Sequence, residues 1–375
     1  MNEWRKIENN IEHLNNICLN ITDGTHASPK KQNFGKPLIT SKHLKNGKIL
    51  VEEANLISEQ DFKKINERSK VNQWDVLISM IGTVGELAIV KEEPKFAIKN
   101  IGLFNIGNEF VAKWVYYYFN STKGKNEIFT KIGGSTQQYI TLSELRNLKI
   151  YFPAQKIREK IIKILSDIDN KIELNNKINN NLEEQCITIF KKMFPQIFYG
   201  SFNVGNYLKP KRGKNLLSKN AILGDIPVVA GGLEPAIYHN KSNTQSPVIT
   251  ISASGANAGF IRLWHTPVWS SDSSYIDYSV SKYIYFWYLF LKLRQKEIYD
   301  LQSGSAQPHI YPKHLEELSI NKLDIKLIET FDEITSNFFE KIGKNNTENN
   351  KLTNLKNYLL PKLMNGEIDV ENIEL

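Results

Sequence analysis

Apolar residues between Gln155 and Phe194 recur at three- and four-residue steps or multiples of them: Ile157, Ile161, Ile164, Ile168, Ile172, Ile178, Leu182, Ile189 and Met193. Lys, Glu, Asp and Asn fill the gaps. That period predicts one long amphipathic helix with a narrow apolar stripe. The stripe returns 170 positions later as Leu327, Phe331, Ile334, Phe338, Ile342, Leu352, Leu359 and Leu363, with Glu348 as its polar exception. A stripe this narrow cannot bury itself, so the economical arrangement packs the two helices together. Ile161, Ile164, Ile168, Leu182 and Ile189 are the expected seam of the first helix, and Phe331, Ile334, Phe338, Leu352 and Leu359 that of the second. The Asn-rich run Asn175–Asn181 marks where the first helix is expected to bend or break.

The repeat extends upstream. Gly133–Ile140 reads GGSTQQYI and Ser303–Ile310 reads SGSAQPHI, while Leu145, Leu148 and Ile150 return as Leu315, Leu318 and Ile320. Ile78, Ser79, Gly82 and Gly85 are matched by Ile251, Ser252, Gly255 and Gly259. A repeat this long is a duplicated domain with its helix rather than a solenoid unit. In the first copy, Pro37–Thr40, Asp75–Ser79 and Glu86–Val90 read as short strands, Val111–Phe119 as a helix or strand, and Leu142–Leu148 as a short helix. In the second, Ile226–Ala230 and Val248–Ser252 read as strands and Lys282–Tyr299 as a helix. The expectation is a mixed α/β chain: a first domain over 1–153, a central helix over 154–200, a second domain over 201–323 and a closing helix over 324–375.

Composition narrows the partners. With 48 Lys+Arg against 40 Asp+Glu, the formal charge of +8 favours an anionic one. No apolar run reaches membrane-spanning length, Cys18 and Cys186 are far apart, and the charged start lacks a signal-peptide core; a reducing cytoplasm is the expected location.

Catalytic chemistry is hard to find. Gly200-x-x-x-x-Gly205 is followed by Asn206-Tyr207, so it makes no P-loop. Gly82-x-x-Gly85 lacks the third glycine of a dinucleotide fingerprint and reads better as a turn needing positive φ. The histidines show no metal-ligand spacing, His309 and His314 included, so no metal is expected. Asp272 and Asp277 fit turn hydrogen bonding better than paired catalysis. No nuclease or amino-methyltransferase motif stands out. The chain reads as a binder. Its candidate DNA contacts are Lys30, Lys31, Lys42, Lys45, Lys123, Lys125, Gln137 and Gln138 in the first copy, and Lys209, Lys211, Arg212, Lys214, Gln307 and His309 in the second. Lys and Arg suit phosphates; Gln and Arg can also pair with base edges.

Two tandem α/β domains, each ending in G-S-T/A-Q-x-x-I, then L-x-x-L-x-I, then a long helix, resemble the specificity subunit of a type I restriction–modification system. The closing LLPKLMNGEI, Leu359–Ile368, and the central IFKKMFP, Ile189–Pro195, are similar to that family's helix signatures. Gly24–Lys70 and Gly205–Asn243 match nothing comparable, as expected of regions that choose sequence. The resemblance implies two target recognition domains separated by antiparallel, coiled-coil-like helices with internal pseudo-twofold symmetry. About 40 helical residues would make a rod of roughly 60 Å, near two turns of B-DNA, setting the spacer of a bipartite, asymmetric site. It further implies a non-catalytic subunit that binds double-stranded DNA and directs two modification subunits and the restriction subunits. S-adenosylmethionine, ATP and Mg would belong to those partners, which would methylate adenine and cleave. A self-contained nuclease or methyltransferase, or a duplicated protein-docking adaptor, are the alternatives.

Overall fold

The computed structural model describes residues 10–304, 308–371 and 373. They form two compact units, one running to Asn170 and resuming at Leu352, the other spanning Lys171–Lys351.

The first unit opens with β1 (Ile11–His13), α1 (Leu14–Ile17) and β2 (Asn20–Asp23). A Lys-rich loop leads to β3 (Lys36–Ile39), the small hairpin β4–β5 (Leu44–Lys45, Lys48–Ile49), β6 (Asn55–Ile57) and α2 (Glu59–Ser69). Then come β7 (Val76–Ser79), β8 (Leu87–Ile89), β9 (Ala97–Ile98), β10 (Ile101–Asn105), α3 (Glu109–Asn120), α4 (Thr122–Phe129), α5 (Leu142–Arg146) and β11 (Lys149–Tyr151). Strands β2-β10-β7-β8 make an antiparallel four-stranded sheet, and β6-β3-β9 a mixed three-stranded one. Every residue of β7 is buried because its two faces serve different cores. Val76 and Ile78 pack with Trp114, Tyr117 and Leu145, whereas Leu77 packs with Ile39, Ala88 and Leu103.

Between the domains runs α6 (Gln155–Met193). The second unit then repeats the order as β12 (Phe202–Asn203), β13 (Lys211–Arg212), β14 (Ile226–Val229), β15 (Ile237–His239), β16 (Val248–Ser252), β17 (Ile261–Trp264), β18 (Trp269–Ser270) and β19 (Ser273–Ile276). After these come α7 (Ile284–Lys292), α8 (Gln295–Asp300), α9 (Pro312–Glu316), β20 (Ser319–Ile320) and α10 (Ile325–Met364). Sheet β13-β19-β16-β17 matches β2-β10-β7-β8 strand for strand, and β15-β14-β18 matches β6-β3-β9, parallel pair included. The copies differ in their loops: between β3 and β7 the first carries the β4–β5 hairpin and α2, where the second has only β15 between β14 and β16.

One expected helix is two. Lys282–Tyr299 breaks between α7 and α8, where buried Arg294 donates to the Ser319 carbonyl at 2.5 Å and pairs with Glu297. That reach across to β20 is a long-range bond that local periodicity cannot register.

Each unit also holds an antiparallel stretch of the two long helices. In the first unit Ile161, Ile162 and Leu165 share a core with Leu360, Leu363 and Met364. There Asp169 accepts from Tyr117 and from Lys356, both within 2.8 Å. The second unit has a similar clasp: Glu183 accepts from Tyr288 and Lys292. In the aromatic core of that unit, Phe190, Phe194, Phe286 and Phe331 meet tilted or edge to face at 5.1–5.7 Å.

The Asn-rich run does not break α6, which continues through it. Asn175 donates to Glu348 and Asn349, and Asn179 donates to Asn346 at 2.9 Å while accepting from Asn345 at 2.8 Å. These amides compete with the backbone in isolation, but here partners on α10 occupy them. The seam therefore has a polar middle, with Asn175 and Asn345 both 1% exposed. Of the expected seam residues, Ile161, Ile168 and Phe331 are buried, and Ile164, Leu182, Ile189, Phe338, Leu352 and Leu359 are half-buried. Ile334 is 45% exposed and is not part of a buried seam; Thr335 takes the inward position beside it.

Asp332 on α10 is largely buried, and desolvation pushes its carboxyl up from 3.8 to about 7, against the opposing pull of Lys282. The native state then keeps a proton that the unfolded chain has released. Stability from this group is expected to fall as pH rises through the window from about 4 to about 7. Urea midpoints across that window should decline less steeply in Asp332→Asn; equal slopes would remove Asp332 as the cause.

Candidate nucleic-acid interface

The duplicated glycines sit in duplicated turns. Gly82 and Gly85, after β7, have φ of +80° and +95°; Gly255 and Gly259, after β16, have +81° and +90°. A Cβ at Gly82 or Gly255 would meet nothing within 4 Å, so backbone conformation and not crowding requires glycine there. Each turn is bonded to the shared motif. Gly82 N–H donates to the Gln138 carbonyl at 3.0 Å and Ile140 N–H to that of Met80. In the second unit Gly255 N–H donates to the Pro308 carbonyl at 3.0 Å and Ile310 N–H to that of Ala253. Gly133 exchanges two hydrogen bonds with Tyr139, as Ser303 does with His309.

This arrangement presents Gln137, Gln138 and Tyr139 outward at the tip of a backbone-pinned loop. The Gln138 carbonyl and both backbone groups of Tyr139 are already bonded, leaving the side chains to face outward. Helix α4 lies close by, since Ile128 stands 3.5 Å from where a Gly85 Cβ would be. It carries Lys125, exposed, and Lys123, half-buried. Lys30 and Lys31 are exposed on the loop between β2 and β3, and Lys42 and Lys45 at the hairpin. Between them His43 is buried and accepts from Thr40 N–H at 2.9 Å; burial, then neighbouring Lys42, lowers its pKa.

In the second unit the structure links Arg212, Asp272, Ser254 and His309. Arg212 lies 2.6 Å from Asp272, which also accepts from the Ser254 hydroxyl, and Ser254 forms a β-bridge with His309. Arg212 is therefore already neutralised by a carboxylate, a partner sixty positions away that sequence spacing does not reveal. His309 is half-buried and stacks on Tyr311 at 5.8 Å. Lys209, Lys211 and Lys214 are exposed, Lys211 bonding the Ser279 hydroxyl at 2.9 Å. Gln307 lies outside the described residues. Asp277, the other carboxylate of the SSDSSYIDY stretch, is buried and accepts from Gln245 N–H and Ser279 N–H, a turn-building role. Among the described residues no His, Cys, Asp and Glu side chains gather as a metal site, and no helix is long and apolar enough to cross a membrane.

Two copies of one sheet scaffold, each with a glycine turn bonded to its repeated motif and with exposed lysines, together with two long paired helices, define a duplicated binding protein. Residues 19–184 match the type I restriction modification DNA specificity domain. The chain is 26% identical over 344 residues to the type I restriction enzyme MjaIX specificity subunit of Methanocaldococcus jannaschii, covering 80% of this chain and 78% of that protein. It is also 26% identical over 167 residues to the MjaVIII specificity subunit of the same organism, 43% of this chain and 38% of that one. In fold it is similar to the S subunit of a type I restriction–modification system from M. genitalium, with a TM-score of 0.58 at 19% identity over 94% of this chain and 95% of the other. The chain is thus similar, in part of its sequence and in its fold, to specificity subunits of type I restriction–modification systems.

Proposed function

We propose that this chain reads a bipartite, asymmetric site in double-stranded DNA, one half per unit, with the long helices setting the unread spacer. Two modification subunits would dock along those helices and methylate adenine, and restriction subunits would join them. S-adenosylmethionine, ATP and Mg would act in those partners, in the cytoplasm, and the target base would be flipped out for methylation.

The observation that carries this reading is the combination of matched sheets and unmatched loops. Two readers built alike but dressed differently suit an asymmetric site. The net charge of +8 suits the phosphate backbone that positions them. The test replaces Gly205–Asn243 with the corresponding stretch of another specificity subunit and maps adenine methylation in cells carrying the system. One half of the methylated motif is expected to change while the other half and the spacer persist. An unaltered motif would overturn the assignment of sequence choice to this region.

A further inference from the structure

Among the described residues, the two most exposed large apolar side chains are Leu223 at 91% and Phe34 at 88%. They occupy corresponding places. Each directly precedes a glycine, Gly35 or Gly224, that leads into the middle strand of its three-stranded sheet, β3 or β14. Each glycine is pressed on the neighbouring strand, Gly35 one residue before β3 and Gly224 two residues before β14. A Cβ on Gly35 would come within 1.9 Å of the Ile57 carbonyl oxygen, and one on Gly224 within 2.6 Å of that of His239. Ile57 is the partner of Lys36 at the start of β3, and His239 that of Ile226 at the start of β14.

The upstream side is fixed as well. Gln32 N–H donates to the Leu56 carbonyl at 2.9 Å, and Ile222 N–H to His239 Nδ1 at 3.0 Å. Phe34 and Leu223 are thus bracketed by bonded backbone and held out from the surface. Water is a poor solvent for such groups, and a chain free to relax would fold them back.

We propose that Phe34 and Leu223 are apolar probes, one per unit, that enter the DNA and lodge against a base step of their own half-site. Their surroundings favour DNA over a protein surface. Lys30 and Lys31 flank Phe34, and Lys219 and Lys241 lie near Leu223 in sequence or across the β14–β15 pair, all four exposed. Phe34 stands alone among lysines and Leu223 stands beside the exposed Ile222; a duplex suits both, its phosphates taking the cations while unstacked base faces take the apolar side chains. Both probes fall in Gly24–Lys70 and Gly205–Asn243, the stretches outside the repeated motifs.

This inference rests on the DNA-reading function proposed above. The test uses the chain assembled with its modification subunits and duplexes carrying the methylated motif, with 2-aminopurine placed in turn at each step of both half-sites. Phe34→Ala is expected to weaken binding on the order of tenfold and to dim the unstacking fluorescence in one half-site only. Leu223→Ala should do the same in the other. The slope of affinity against salt should not move in either, whereas Lys30→Ala should reduce it by about 1. Unchanged affinity and fluorescence in both apolar variants of a complex that binds its motif would overturn the probes alone. A wild-type complex with no salt-dependent affinity for its motif would overturn the DNA-reading function and the probes with it.

Discussion

Phe331→Ala is expected to destabilise the second unit by about 4 kcal/mol, the cost of deleting a large buried ring and leaving a cavity. Phe331 is 0% exposed and stands 5.6 Å from Phe190 and 5.7 Å from Phe194, ring centre to ring centre. Those rings close the end of α6 on the start of α10, with Phe286 of α7 packed against both Phe190 and Phe194. The surrounding aromatics are fixed by the backbones of three helices and cannot collapse far into the void. Guanidinium unfolding should show a lower midpoint with little change in slope for the transition of this unit. A loss under about 1 kcal/mol would mean the cluster repacks, and that the helix pair is held here by something other than these rings.

Lengthening both long helices is expected to lengthen the spacer of the methylated motif. Four residues add about 6 Å of helix, close to two base-pair steps, and come near a whole turn so that inward faces stay inward. The insertions belong after Asn170 and after Lys351, where the two units divide and the amide ladder is left alone. Methylation mapping should show both half-sites unchanged and a wider gap. A gap of the original length would refute the ruler. The same insertion placed beside Asn179 in α6 alone should behave differently. It would carry Asn179 out of register with Asn345 and Asn346 and strand buried amides at roughly 1–3 kcal/mol each. Loss of stability, rather than a clean change of spacer, is the expected result there.

Much of this fold is legible because duplication and periodicity are local patterns. The strand and helix signals around Asp75–Ser79, Leu142–Leu148 and Val248–Ser252 correspond to β7, α5 and β16. The two long helices end within a residue or two of where their stripes end. The candidate interface is legible only in part. The glycine turns and the motif Gly133–Ile140 match Gly255, Gly259 and Ser303–Ile310 in sequence, but their pairing joins residues more than fifty positions apart and leaves no local trace. Charge counting put Arg212 with the lysines and could not see Asp272 beside it. The exposed Phe34 and Leu223 carry no signal at all, because an apolar residue in a loop ordinarily reads as core.

By itself the sequence determined that one unit is written twice, that each copy is a small α/β domain, and that two long amphipathic helices follow them. Those properties live in spacing along the chain, which hydrophobic burial translates into helix or strand without knowing the partner. Only the tertiary structure decided the rotational phase of the helix pair, with Asn175, Asn179 and Asn345 inside and Ile334 outside. A stripe of period 3.6 gives a helix a buried side, but where that side ends depends on what packs against it. An asparagine is cheap to bury only when another chain segment brings the matching amide.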